Sequence, residues 1–256
     1  MRVTLTIALA LVMIASGVVL AQEAEPAAME DRVEENLLVL YHLANVVEET
    51  IVPDLTQDVG GLDLVIRGGE ITEDGVQFDP ADAPESVGLF STEVAAPVFE
   101  GVRASGQLTV EAWVTPAADD LTGPARIVSI SRGVGERNLT LGQQGDAYAL
   151  RLRTSATNHQ GMPDLRTDDG TLVVGELQHI VATFDGEATT IYLNGEAILE
   201  SDDRAGTLEN WDEMMLLMVG NETSGDRPWA GSVHLVALYG HALSPDQVRA
   251  NFDAGL

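Results

Sequence analysis

From Leu37 onward the apolar residues fall in short runs broken by Gly, Asn, Asp and Pro, which is a strand pattern. The runs LTVEAWV (108–114), ARIVSIS (125–131), NLTLGQ (138–143), YALRLRT (148–154), HIVATF (179–184), TTIYL (189–193), MLLMVG (215–220) and VHLVALY (233–239) are rich in β-branched, Leu and aromatic side chains. Asn194-Gly195 follows TTIYL directly and tolerates the positive φ angles of a two-residue turn, so TTIYL-NG-EAILE predicts a β-hairpin. Strict alternation in VHLVALY puts Val233, Leu235 and Ala237 on one face and His234, Val236 and Leu238 on the other. Apolar residues on both faces predict a strand inside the packed body. One helix is expected, near the end of the chain. Ser244 is its N-cap, Pro245 its first residue, Gln247 completes a capping box, and Gly255 ends it. Leu243 packs on Val248 as a hydrophobic staple, and the helix is expected to close over the sandwich edge. No internal repeat is present. About a dozen strands at this spacing predict one all-β domain of two packed antiparallel sheets.

Charge narrows the partners. The 256 residues carry 41 acids against 13 bases, a formal net charge of −28, and every base is Arg. Such a surface repels nucleic acid and anionic membranes and suits a salty habitat or a divalent cation. The chain has no Cys, which excludes disulfides, thiol chemistry and Cys-based zinc sites. Residues 1–21 read as an export signal: Arg2, then an uncharged apolar segment ending Val19-Leu20-Ala21. An uncleaved anchor is the alternative; after cleavage no membrane insertion is expected, and the folded part works in the periplasm or outside the cell. The absence of Lys and Cys with the short signal points to a bacterium. Residues 22–36, QEAEPAAMEDRVEEN, read as an acidic linker. A helix is the competing reading there, because Met29, Val33 and Leu37 recur every four residues.

Several stretches, taken in order, carry a resemblance. Trp229, Gly231 and Tyr239 precede Leu243, Ser244 and Val248; LQHIVATFDGEATTIYLNG (177–195) forms the middle; LTVEAWV, LLVLYHL and DLVIRGGEITEDGVQF come earlier. Together they resemble the laminin-G-like, concanavalin-A-like lectin/glucanase superfamily, and GDRPWAGSVHLVALY resembles a bacterial subgroup of exported proteins. The resemblance covers residues 37–256. It implies a jelly-roll β-sandwich whose loops and concave face bind glycan or protein. Two departures stand out. Leu177 occupies a position where many members have Trp, and His234-Leu235 replaces an Asp-Glu pair, which weakens the carry-over of a family metal site.

No enzymatic signature stands out. The Glu-x-Asp-x-(x)-Glu strand of jelly-roll hydrolases is missing: Glu200-Ser201-Asp202-Asp203-Arg204-Ala205 lacks the second Glu. The expected role is therefore a non-catalytic module binding an extracellular polysaccharide, with recognition of an envelope protein as the alternative and a glycoside hydrolase behind both. Arg151 and Arg153 share one face of a strand, opposite Leu150 and Leu152, and the loop after them supplies Asn158, His159, Gln160 and Asp164 for sugar hydroxyls. Against this stands an Arg pair neutralised by Glu111 or other same-face acids, with an ordinary solvated loop. Trp211 is the candidate for stacking on a sugar ring, with packing as its alternative. The loop NETSGDRPW offers Arg227 as a ligand contact. It also offers Asn221, Glu222 and Asp226 as oxygen donors for calcium, against the alternative of a turn cap beside a core Trp229.

Overall fold

A computed structural model describes residues 32–256, apart from 49, 58–60, 80 and 82–86. The expected export signal and most of the expected linker lie outside the described residues. In chain order the strands are β1 (Leu37–His42), β2 (Ile51–Val52), β3 (Leu64–Arg67), β4 (Glu70–Thr72), β5 (Gly75–Phe78), β6 (Gly88–Val94), β7 (Leu108–Pro116), β8 (Ala125–Gly133), β9 (Glu136–Gln144), β10 (Ala147–Leu152), β11 (Leu165–Arg166), β12 (Gln178–Phe184), β13 (Thr189–Leu193), β14 (Glu196–Ser201), β15 (Leu216–Val219) and β16 (Gly231–Tyr239). Helix α1 (Ala96–Ser105) follows β6, and α2 (Pro245–Ala254) follows β16. One antiparallel sheet runs β14-β13-β12-β7-β16-β5-β4, with β1 also paired to β16; the other runs β11-β10-β9-β8-β15-β6-β3-β2. This is an all-β jelly-roll sandwich. Its main core lies between the sheets and draws Val110, Ala112, Ile180 and Leu238 from the first and Leu89, Leu141, Leu150 and Leu217 from the second.

The expected hairpin is present: Asn194 and Gly195 take φ of 51° and 80°, the positive values that turn requires. Three details differ from the pattern reading. First, α1 was not expected. Its N-cap is Ala95, which makes no side-chain capping bond, so the capping signal is missing and only Pro97 in the first turn marks its start. Second, the pairing of β16 shifts register between Val233 and Leu235. That bulge takes up His234, so Val233 shares the inner core with Val236 and Leu238 while Leu235, Ala237 and Tyr239 face outward. Third, α2 has its capping box, but it covers a sheet face rather than an edge. Leu243, Val248 and Phe252 pack with Trp113, Val181, Tyr192 and Tyr239 in a second core on the outer side of the first sheet.

A buried polar centre pins that second core. Glu111 of β7 lies opposite Val181 and Ala237 and is fully buried. It takes hydrogen bonds from Arg32, from His179 Nε2 at 2.9 Å and from Asn251 Nδ2 at 2.7 Å. Desolvation works to raise its pKa, but the hydrogen bond from His179 and the charge and hydrogen bond of Arg32 outweigh it and hold the carboxyl at about 2. Arg32 falls within the segment read as linker, yet its side chain is buried and also donates to the carbonyl of Gly255 at 2.6 Å. The packed body therefore takes in Arg32, ahead of Leu37, and this side chain ties together both ends of the described chain.

Candidate functional site

The outward face of the second sheet gathers the arginines. Arg151 on β10 lies opposite Thr140 on β9, which lies opposite Ser129 on β8. On one side of this row, Ala149 faces Gly142, which faces Arg126; on the other, Arg137 faces Ser131. Simple alternation would have turned Arg126 and Arg137 toward the core, in step with Val128 and Leu139. Register shifts after Arg126 and after Ile130 reverse both side chains. This is why sequence reasoning missed them: a bulge has no signature in the apolar pattern of ARIVSIS.

Arg126 and Arg137 are 1% and 0% exposed. Arg126 Nε donates to Glu222 at 3.1 Å, and the same carboxylate accepts from Ser131 Oγ and from the amide of Thr223 at 3.1 Å. Arg137 donates to the carbonyls of Gln160, at 3.1 Å, and Val134. The loop after β10 folds back to provide the first of these. Gly161 allows the fold-back, because at φ 67° a Cβ there would lie 2.8 Å from the Leu152 nitrogen. Arg151 faces Asp164 at 3.9 Å, with side chains 15% and 23% exposed. That is an ion pair without a hydrogen bond. Arg204, 2% exposed, sits beneath the same loop and donates to the Pro163 carbonyl at 2.8 Å.

Burial is the main influence on these guanidiniums and lowers their pKa values. For Arg126 it is opposed by Glu222 and reinforced by Arg151 and Arg227. Arg137 falls to about 10, chiefly through burial and then through Arg126 and Arg151. Arg151 is lowered by burial, with Asp164 opposing and Arg227 adding. All remain cations at neutral pH.

The expected site residues separate into two groups. Arg151, Asp164 and Arg227 come together around Arg126 and Arg137; the backbone of Arg227 accepts the Arg126 amide at 3.1 Å. Asn158 and His159 are exposed on the folded-back loop, where Asn158 Oδ1 accepts the amides of Gln160 and Met162 at 2.8 and 3.1 Å. Arg153 is half-buried, and its carbonyl accepts Trp211 Nε1 at 2.9 Å. Trp211 is therefore not a stacking platform: it is 5% exposed and belongs to the main core. The calcium set also fails to converge. Asn221 and Glu222 are fully buried. Asn221 Oδ1 accepts the Glu222 and Arg227 amides, Glu222 is spent on Arg126, and Asp226 is exposed. Among the described residues no cluster of three His, Cys, Asp or Glu is arranged to hold a metal ion. Glu111 does not neutralise the Arg pair, because it lies on the other sheet; the acid that faces Arg151 is Asp164. Trp229 is in the core, as one reading had it, and donates to Gln143 Oε1 at 2.8 Å.

Comparison with known proteins agrees with this architecture. The family model described as the concanavalin A-like lectin/glucanases superfamily matches residues 90–249. Similar solved structures include the sialidase of Trypanosoma rangeli in complex with 2,3-difluorosialic acid, at 17% identity and a TM-score of 0.61 over 85% of this chain and 33% of that one. They also include the binding domain of Paraclostridial Mosquitocidal Protein 1, at 15% identity and 0.60 over 86% of this chain and 52% of that one. A third is the receptor binding domain of botulinum neurotoxin C/D mosaic serotype, at 9% identity and 0.60 over 86% and 51%. The chain thus spans about a third of the sialidase and about half of each toxin domain. These likenesses show a shared fold. Among curated proteins, none matches the chain in sequence.

Proposed function

The chain belongs to the concanavalin A-like lectin/glucanase superfamily, and on that premise we propose that it is an exported, non-catalytic module that binds extracellular glycan. The observation that carries this reading is the half-buried Arg151–Asp164 pair beside the exposed Asn158 and His159. Charged and amide groups at the rim of a rigid sheet are what orient sugar hydroxyls. The non-catalytic part of the reading is supported by the state of the two fully buried glutamates. Glu111 and Glu222 are both locked in ion pairs, and Glu111, ionised down to about pH 2, has no proton to give as a general acid. Export rests on residues 1–21. Among the described residues no helix is long and apolar enough to cross a membrane.

A protein partner is the second reading. Val173, Val174, Leu177 and Ile198 are 38–44% exposed, and Val173 and Ile198 line one shallow depression. A thermal-shift screen of the purified chain against a broad glycan panel tests the choice. A bound sugar at about 100 times its dissociation constant adds about 2.7 kcal/mol, a shift of several degrees. No shift with any glycan overturns the glycan reading in favour of the protein partner.

A further inference from the structure

The outward face of the second sheet holds more positive charge than it has partners for. The pKa values of Arg126, Arg137 and Arg151 are each lowered by burial and by neighbouring guanidiniums, Arg227 among them, and the carboxylates opposing this are Glu222 and Asp164. Glu222 is already committed to Arg126, Ser131 and Thr223. Asp164 meets Arg151 only at 3.9 Å. Among the described residues no acceptor hydrogen-bonds the Arg151 side chain, and the Nε groups of Arg137, Arg151 and Arg153 are buried without a partner. Desolvated guanidinium donors left without acceptors are costly. In a chain of net charge −28 with abundant carboxylates elsewhere, a cationic centre that stays under-neutralised is poised for an anion from outside.

We propose that this centre binds the carboxylate of an acidic oligosaccharide, which takes the place of Asp164 against Arg151 with Arg227 at its flank. A carboxylate matches the two-pronged donor geometry of a guanidinium, which a neutral hydroxyl does not. Arg126 and Arg137 lie behind and are positioning residues: too buried to touch the ligand, they supply field, and Arg137 holds the loop through Gln160. The net charge limits the ligand's size. A long polyanion would be repelled by the rest of the surface, so the fitting ligand is short or sparsely charged.

This inference rests on the glycan reading and names its substrate class. It is tested by calorimetric titration of the purified chain with a panel of uronate-containing oligosaccharides and their carboxyl-reduced, neutral counterparts. The expected result is at least one acidic member binding about tenfold or more tightly than its neutral counterpart, a preference lost in Arg151→Gln and weakened in Arg227→Gln. Circular dichroism and the melting temperature establish that both variants fold. Binding confined to neutral members, or a preference unchanged in both variants, overturns the acidic ligand and leaves the glycan reading standing. Binding by neither the acidic nor the neutral members, when the broad screen finds other glycans, likewise overturns the acidic ligand alone. Silence in both experiments overturns both.

Discussion

Arg32 and Glu111 are 79 residues apart in sequence, yet they form an ion pair with side chains 1% and 0% exposed. The pair joins the start of the described chain to a central strand, and Asn251 brings the C-terminal helix to the same carboxylate. Closure of the second core therefore depends on one ionised glutamate.

That dependence has a pH signature. Glu111 titrates at about 2 in the folded protein, against an ordinary 4.5. A depressed carboxylate contributes stability that is full above the unfolded value and is lost as pH falls through the folded one. The contribution is about 3 kcal/mol, lost between roughly pH 5 and 2. Glu111→Gln should be the less stable protein at pH 7, because it removes the buried carboxylate charge to which Arg32, His179 and Asn251 donate. It should also lose less stability on acidification than the wild type. Urea unfolding of both proteins at pH 7, 5, 3.5 and 2.5 checks this, and parallel pH profiles would refute it. Surface carboxylates add slopes of their own, but these are common to both proteins and cancel in the difference.

Glu222 and Arg126 make the corresponding pair on the other sheet. Glu222→Gln should cost on the order of 3–5 kcal/mol, since it strands a guanidinium that is 1% exposed. With its oxygens turned inward, calcium and chelator should give the same melting temperature. A calcium-dependent rise that disappears in Glu222→Gln would restore Asn221, Glu222 and Asp226 as a metal site.

Trp211 should behave as a packing residue. Its ring belongs to the main core and its Nε1 bonds the Arg153 carbonyl. Trp211→Ala should lower stability by roughly 3–5 kcal/mol. Trp211→Phe, which keeps most of the packing and gives up the hydrogen bond, should lower it by about 1 kcal/mol beyond any effect of the smaller ring. Chemical denaturation measures both. Glycan affinity of Trp211→Phe should match the wild type, and a large loss would return the indole to the binding site.

The sequence by itself determined the fold class, the central strands, the Asn194-Gly195 hairpin and the capping box of the last helix. These features are local: alternation, turn chemistry and capping act over a few residues and leave a periodic mark. Arg151 on the face opposite Leu150 and Leu152 was legible for the same reason, and so were those two leucines as core. Only the tertiary structure decided what surrounds them. Bulges at Ile127, Asn138 and His234 invert which face later residues occupy, and a pattern of apolar positions does not record one inserted residue. The partners of Arg126 and Arg32, at Glu222 and Glu111, lie 96 and 79 residues away and were set by strand order. Trp211 could be read as exposed or packed from its polar neighbours, and its place was decided by the Arg153 carbonyl beside it. Burial and charge pairing are sums over the whole fold, which is why the composition of the site was visible and its arrangement was not.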